Sequence, residues 1–453
     1  MGSAAFIPKT KAPRVGAAKG SAPEATGPLA TPREHGLGTQ RPFDPRLLET
    51  GGFSAWLTDR FLRKPFAVMA FLRRYVPLPL FKGWGAVTRY EDVVEALQND
   101  SGVAVPFGPK IEALNDGPNF LLGMADSEDY RWLHKATVEV FPVADNAKYV
   151  GPIALQEATA LLDQGQGRID VIGDLITLVP TRICERYYGV DVPDEFAFGQ
   201  WTIAMSSFMF GDPTDNPVLR EMALAAGERV RPLVDSAIAR AHEAVDKGDA
   251  KDTIAVRLVE MQRGGEARMT DDIIRAVLVG MITGFVPTNT MAAGHMIEML
   301  LDKPEWMAMA QAAAKADDDD RLKRILFEAM RFYPLNPGPF RVCSRDVTIA
   351  AGTRREKTFP EGTKLMVSTQ SAMFDPRQVK DPMRFDPDRP QSDYMLMGFG
   401  LHWCIGAPLA YAQVTQTLKP LLRRDNIRRA PGKAGKLKKF GPFPSDLEIL
   451  YDG

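Results

Sequence analysis

The residues best suited to chemistry lie near the end of the chain, in the stretch MGFGLHWCIG. It contains Cys404, one of only three cysteines in 453 residues. Gly398, Gly400 and Gly406 surround this cysteine, and His402 precedes it by two positions. A thiolate that binds a heme iron needs small neighbours, so that the porphyrin can approach, and a helix N-terminus that stabilises its charge. The apolar segment GAPLAYAQVTQTLKPLL follows directly and predicts such a helix.

A lone cysteine is more often a buried, unreactive side chain than a metal ligand. The glycine spacing argues against that alternative. The stretch resembles the heme-binding loop of the cytochrome P450 family, in which Phe-Gly-x-Gly-x-(His/Arg)-x-Cys-x-Gly is typical. Gly398, Gly400, His402, Cys404 and Gly406 match this pattern, whereas Met397 replaces the usual phenylalanine. The resemblance extends over roughly residues 45 to 450.

The resemblance implies a heme-thiolate enzyme that carries heme b (iron protoporphyrin IX). Cys404 would be the axial ligand, and His402 would donate to a heme propionate. Arg341, just before a predicted strand, would hold a propionate as well. Glu328 and Arg331 in FEAMRFYP would form the buried pair of the family, completed by Arg389, with a structural role.

One departure from the family concerns the stretch DSEDYRWLH. The family commonly places a histidine and an arginine here, and this chain has Tyr130 and His134 at those positions. Both side chains can still donate to a propionate. An equally good alternative is that both are ordinary packing or surface residues.

A larger departure lies in GMITGFVPTNTMAAG, within a long apolar segment. Family monooxygenases carry Ala-Gly-x-acid-Thr-Thr here, and the acid and alcohol organise the delivery of protons. The favoured register places Gly284 on the alanine, Pro287 on the acid and Thr288 on the threonine, followed by Asn289. A register shifted by one is the alternative, and in both registers the acid is absent. Pro287 also removes one backbone N–H, which predicts a kink.

Three functions remain open on these residues. Thr288 with ordered water could support monooxygenation of an apolar molecule by dioxygen. The absent acid also suits oxidation by a ready-made peroxide or isomerisation of lipid hydroperoxides, for which Asn289 and the run DRPQSDYMLMGFG give weak support. The third alternative is a heme protein that binds a ligand or transfers electrons without turnover.

The elements that would position these residues are mostly helices. The sequence predicts a mainly α fold with a small β-rich part, the cytochrome P450 fold as a single domain. Residues 1–40, rich in Ala, Pro and Gly, predict a flexible leader, and residues 41–453 the heme domain. The segment from Thr270 or Asp271 to Lys303 predicts a buried central helix, because it is apolar on nearly all faces. FAVMAFLRRYVPLPLF predicts a buried early helix; loose association with a membrane is the weaker alternative.

Composition limits the partners. The net charge of −1 gives no basic field for nucleic acid. Charges and prolines interrupt the most membrane-like stretch, which predicts no transmembrane anchor. Three scattered cysteines favour a reducing cytoplasm. The sequence shows no motif of a flavin or iron–sulfur domain, so we expect electrons to come from a separate ferredoxin or flavodoxin-type donor and its reductase. Apolar segments predict a lipophilic small-molecule substrate: Phe198, Trp201, Met205, Phe208, Met209, Val105, Phe107, Phe120, Leu121, Leu335, Pro337 and Phe340.

Overall fold

The computed structural model describes residues 65–440 and 443–452. Helices dominate this part of the chain, as predicted. They are α1 (Pro65–Tyr75), α2 (Tyr90–Gln98), α3 (Gly108–Asn115), α4 (Glu128–Val140), α5 (Gly151–Gln164), α6 (Leu178–Ile183), α7 (Glu195–Phe210), α8 (Pro217–Lys247), α9 (Ile254–Arg263), α10 (Asp271–Asp302), α11 (Pro304–Lys315), α12 (Asp319–Phe332), α13 (Thr369–Met373) and α14 (Ala407–Leu422). The predicted leader, residues 1–40, lies outside the described residues.

The strands are short. They are β1 (Leu80–Phe81), β2 (Trp84–Val87), β3 (Val103–Ala104), β4 (Arg168–Asp170), β5 (Phe340–Cys343), β6 (Val347–Ile349), β7 (Lys357–Phe359), β8 (Lys364–Val367), β9 (Asp425–Arg429), β10 (Lys438–Phe440), β11 (Phe443–Asp446) and β12 (Glu448–Asp452). The largest sheet has the order β1-β2-β8-β5-β3. Because β5 pairs antiparallel with β8, opposite Leu365, the sheet fixes the backbone of Arg341.

The central helix α10 begins and ends where the sequence predicts. Thr270 caps it by accepting a hydrogen bond from the Ile273 amide at 3.3 Å, and Asp271 and Asp272 fill the first turn, where the helix dipole favours acids. The helix is long and apolar enough to cross a membrane. However, 83% of its most apolar window is buried inside the fold, as expected of a core helix.

Two apolar clusters form the interior, one among the helices and one beneath the large sheet. Phe332 and Leu396 pack against both clusters, so the helical part and the β-rich part share a continuous core. Helix α14 packs on α5 and α10, which brings its N-terminal end, just after Cys404, to the middle of the molecule.

The prediction for the early apolar helix was wrong. In α1 only Met69 and Arg73 are buried among the described side chains, whereas Phe71 and Tyr75 are exposed. The Arg73 guanidinium points inwards and donates to the Ser371 carbonyl at 2.9 Å. The Arg73 hydrogen bond therefore attaches one face of α1 to the fold, whereas Phe71 and Tyr75 lie on the exposed face.

Candidate active site

The cysteine loop ends at the N-terminus of α14. The Cys404 amide donates to the Met397 carbonyl at 2.9 Å, which closes the loop before the helix begins. Burial raises the pKa of the Cys404 thiol, and hydrogen bonds from the amides of Gly406 and Ala407 oppose this rise. Cys404 as a residue is exposed, although protein atoms surround its sulfur closely enough to raise the pKa. Two N–H groups are therefore directed at the sulfur of an accessible residue, as a thiolate ligand requires.

The three positions do not all require glycine for the same physical reason. At Gly398 and Gly400 the reason is the backbone conformation and not space for a porphyrin beside the sulfur. Gly398 and Gly400 have φ angles of 79° and 73°, in the left-handed region that favours glycine. A Cβ at Gly400 would also lie 2.6 Å from the Leu97 carbonyl oxygen at the end of α2. Only Gly406, where a Cβ would lie 3.8 Å from the Cys404 sulfur, lies close enough to leave room for a flat group beside the thiol.

Arg341 is a buried charge without a counter-ion. Its side chain is on β5, the residue is 5% exposed, and one guanidinium nitrogen donates to the Phe340 carbonyl at 2.9 Å. Among the described residues it forms no ion pair. Burial lowers the pKa of Arg341 to about 10, and Asp100 opposes the shift from a distance. Buried charges are normally paired, so this guanidinium is set up to receive an anionic group of a ligand.

His402 lies near this guanidinium. Burial lowers the pKa of His402 to about 4, and the charge of Arg341 contributes in the same direction. The imidazole is therefore neutral at pH 7, and one ring N–H is available as a hydrogen-bond donor.

Helix α4 contributes differently from the sequence prediction. The Tyr130 hydroxyl donates to the Leu401 carbonyl at 2.8 Å, so its one proton is already used and the phenol holds the cysteine loop. The Tyr130 ring lies beside the rings of His134 and His402, at centroid-to-centroid distances of 5.8 and 5.6 Å. Burial raises the pKa of Tyr130 to about 12 and lowers that of His134. The expected donation from Tyr130 to a propionate is therefore corrected, whereas that from His134 stays a prediction.

The Glu328 pair forms as the sequence predicts. The carboxylate receives two hydrogen bonds from Arg331, both 2.8 Å, and one from Arg389 at 3.3 Å. Both arginines also donate to backbone carbonyls of the segment 373–384, which fixes the meander that leads into the cysteine loop. Sequence reasoning missed Tyr394, whose hydroxyl donates to Glu328 at 2.9 Å. Tyr394 therefore has a structural role in the run DRPQSDYMLMGFG, and this part of the run does not support hydroperoxide isomerisation.

The central helix presents Gly284 and Thr288 on one face. Both are partly accessible, whereas the three residues between them are buried. A Cβ on Gly284 would meet nothing within 4 Å, and the Thr288 hydroxyl donates to the Gly284 carbonyl. This accessible pair supports the favoured register, which stays a prediction. The helix runs unbroken through Pro287 from Asp271 to Asp302.

Asn289 and Pro287 flank Thr288 on the helix, and their assignment to the distal site stays a prediction. Each residue turns an α-helix by about 100°, so each side chain is turned by about that angle from the direction of Thr288. Asn289 is 3% exposed and shares a face with Phe285, whose ring lies 5.7 Å from that of Tyr188. Within the described residues, Asn289 Nδ2 is buried without a hydrogen-bond partner.

The predicted apolar lining divides into two groups. The side chains of Phe198, Met205 and Phe208 are completely buried and belong to the core. Phe120 packs on the central helix, where a Cβ at Gly280 would clash with its ring at 2.3 Å. Partly accessible members remain as candidates to touch a ligand: Val105, Trp201, Leu335, Pro337 and Phe340.

A second polar cluster lies further along α10. The His295 ring stacks on Tyr333 with centroids 4.0 Å apart, and its Nε2 lies 3.1 Å from the Lys439 ammonium. Lys439 also donates to the Tyr333 hydroxyl. Burial lowers the pKa of Lys439 to about 8, although Glu298 acts in the opposite direction. The cluster fastens strand β10 to the central helix.

The donor set fits heme. An accessible thiol at a helix N-terminus suits an axial ligand, and a buried guanidinium with a neighbouring imidazole suits the propionates. The fold and this site together define a heme-thiolate oxidoreductase.

Comparisons with known proteins agree. The family model for cytochrome P450 matches residues 205–442. Cyclomarin C epoxidase of Salinispora arenicola is 26% identical over 275 residues, which are 61% of this chain and 65% of that protein. Erythromycin C-12 hydroxylase of Saccharopolyspora erythraea is 25% identical over 342 residues, 75% of this chain and 81% of that protein. The crystal structure of CYP109E1 from Bacillus megaterium in complex with testosterone has the same fold, with a TM-score of 0.70 at 19% identity, covering 87% of this chain and 98% of that one.

The chain belongs to the cytochrome P450 family. It is an oxidoreductase of the monooxygenase type, and the heme-thiolate cofactor follows from the family.

Proposed function

We propose that this enzyme uses heme b to insert one oxygen atom from dioxygen into a C–H or C=C bond of a large apolar molecule. Two relatives are named as a hydroxylase and an epoxidase, and these names support the reaction class. The observation that carries the proposal is the presence in one site of an accessible Cys404 thiol and a buried Arg341 guanidinium, which forms no ion pair with any described residue.

Cys404 would bind the iron, and Arg341 with His402 would hold the propionates. When bound, the heme-thiolate group activates dioxygen with two electrons and two protons, so that the second oxygen atom leaves as water. Gly406 leaves space beside the sulfur, and Gly398 and Gly400 shape the loop.

On the distal side, Gly284 and Thr288 would border the oxygen site. The Thr288 hydroxyl donates its proton in a hydrogen bond to the Gly284 carbonyl, so its oxygen lone pairs are available to accept a hydrogen bond from water. We assign proton transfer to this hydroxyl with water, since Pro287 stands where the family has its acid. The Asn289 side chain is turned by about 100° from the direction of Thr288, which weakens the support for hydroperoxide isomerisation.

The electron donor would be a separate ferredoxin or flavodoxin-type protein with its reductase, and the enzyme would act in the cytoplasm. Trp403, adjacent to the proposed ligand, is 45% exposed and offers the donor a direct contact near the sulfur. Residues 41–453 would form the heme domain.

The test compares two reactions of the purified ferric protein. One arm receives a fatty-acid hydroperoxide without reductant; the other receives dioxygen, NAD(P)H, surrogate redox partners and a panel of apolar substrates. We expect reductant-dependent products that carry one oxygen atom from labelled dioxygen in the second arm. Rapid isomerisation of the hydroperoxide, with no product in the second arm, would overturn the proposal.

A further inference from the structure

Exposed apolar side chains concentrate in one short segment. Eleven large apolar residues are exposed in the described part of the chain, and five of them lie within residues 71–84: Phe71, Tyr75, Val76, Phe81 and Trp84. They lie on α1, on the segment after it and on the β1–β2 hairpin. We call this surface the aromatic patch. The rings of Phe71 and Tyr75 contact each other, with centroids 5.2 Å apart. Clustered exposed apolar side chains mark an interaction site more often than scattered ones do.

Cations accompany these rings. The Arg74 guanidinium lies 5.5 Å from the centre of the Tyr75 ring, and the Lys82 ammonium lies 5.3 Å from that of Phe81. Neither cation forms an ion pair within the described residues. The aromatic patch therefore combines apolar rings with free positive charge.

A basic cleft adjoins the patch. It has a volume of about 400 Å³, and Tyr75 and Val76 form part of its wall. Its other side carries four cations: Arg89, Arg354, Arg355 and Lys357. Arg355 is neutralised by ion pairs with Glu91 and Asp92, but Arg354 and Lys357 have no ion pair in the part of the chain that the structure describes.

We propose that the aromatic patch and the basic cleft bind the surface of an anionic phospholipid membrane, with a lipid phosphate in the cleft. Aromatic rings prefer the boundary between headgroups and acyl chains, and clustered Lys and Arg attract anionic lipids. The net charge of the whole chain is −1, so an overall positive charge cannot supply the attraction, and a local cluster of cations is needed. The proposal is independent of the catalytic function proposed above, because it concerns a surface outside the active site.

The full-length protein is tested by co-sedimentation with vesicles. One set contains phosphatidylcholine only, and the other about 30% phosphatidylglycerol, which supplies the negative surface potential. We expect binding to the second set only. Binding should weaken strongly when salt is raised to about 0.5 M, because exposed charges are then screened.

Matched variants locate the contact. The double variant Arg354→Glu with Lys357→Glu should lower the vesicle partition coefficient at least about tenfold, since two attractive charges become repulsive. Tyr75→Ser with Trp84→Ser should lower it as well, without changing its salt dependence. Lys433→Glu and Val143→Ser, which alter an exposed cation and an exposed apolar residue elsewhere, should leave it unchanged.

Three kinds of result would overturn the proposal. The first is equal binding to both vesicle sets, or binding that none of the patch and cleft variants weakens. The second comes from hydroxyl-radical footprinting on the free protein: low oxidation of Phe71, Tyr75 and Trp84 that vesicles do not alter would mean that another part of the chain covers the patch. Displacement by inorganic phosphate alone, without any effect of Tyr75→Ser with Trp84→Ser, would indicate a phosphate site and also overturn membrane binding.

Discussion

The two faces of the site differ in how completely their polar groups are paired. On the cysteine side, the Glu328 carboxylate receives hydrogen bonds from three side chains, and the loop amide of Cys404 has a partner. On the central helix, Pro287 supplies no N–H to the Thr283 carbonyl. Within the described residues, moreover, Thr283 Oγ1 and Asn289 Nδ2 are buried without a hydrogen-bond partner.

This difference separates two requirements. The axial ligand needs one fixed position, and a fully paired network provides it because any displacement would break several bonds at once. Proton delivery needs a group that can exchange partners, and the Thr288 hydroxyl can do so because it donates within its own helix and keeps its lone pairs for water.

The largest effect is expected at the ligand. Cys404→Ser should reduce monooxygenation to background, because the alcohol cannot replace the thiolate on iron. The carbonyl complex of the reduced protein should also lose its thiolate-type spectrum. Cys343→Ser, at a buried cysteine in β5, is the control and should keep both properties. A thiolate-type spectrum in the Cys404 variant would contradict the ligand assignment.

The next effect concerns the paired side. Glu328→Gln leaves the buried Arg331 guanidinium without its counter-ion, so the free energy of unfolding should fall by about 3–5 kcal/mol. Urea denaturation of the holoprotein measures it. Arg324→Gln removes an exposed ion pair with Asp320 on the same helix and should cost less than about 1 kcal/mol. Equal losses in the two variants would show that the network does not stabilise the loop.

On the sparsely paired side, substitution should affect chemistry more than stability. Thr288→Val should lower the fraction of electrons recovered in product by about tenfold, since the hydroxyl that accepts from and positions the proton-carrying water is lost, with the rest released as peroxide. Thr288→Ser should restore most of the coupling. Asn289→Ala tests the assigned faces: it should leave coupling unchanged, and a loss as large as that of Thr288→Val would place Asn289 at the oxygen site.

The smallest effect is a pH dependence at the far end of α10. Burial lowers the pKa of Lys439 from 10.5 to about 8, so between these values the unfolded chain binds more protons than the folded one. Stability therefore gains a contribution that rises with pH across this window, by at most about 1.4 kcal/mol per pH unit for one proton. The difference in unfolding free energy between wild type and Lys439→Met should increase with pH from 8 to 10. A flat difference would contradict the shifted pKa.

The sequence predicts best where a local rule suffices. The limits of α10 follow from the cap at Thr270 and from Lys303 with Pro304, and the cysteine loop follows from its glycine spacing. Arg331 and Glu328 are three residues apart, so their contact within one helix could be foreseen.

The remaining features depend on distant parts of the chain. Gly400 is required by the Leu97 carbonyl, and Tyr394 reaches Glu328 from another segment, so no local pattern contains either contact. Asn289 directly follows Thr288 in the sequence, but a helix turns the two side chains about 100° apart, so adjacency in sequence does not place both at the oxygen site. The exposure of α1 was missed for a related reason, since an apolar segment does not reveal which of its faces finds a partner.

The uncompensated charge of Arg341 has a consequence for how the protein matures. A ligand carboxylate that meets this guanidinium relieves a penalty that the polypeptide alone must bear, so binding of the ligand and completion of the fold are thermodynamically linked. The amount of finished enzyme in a cell should then follow the supply of its prosthetic group, and chains made in excess of that supply should be the ones that proteases remove first.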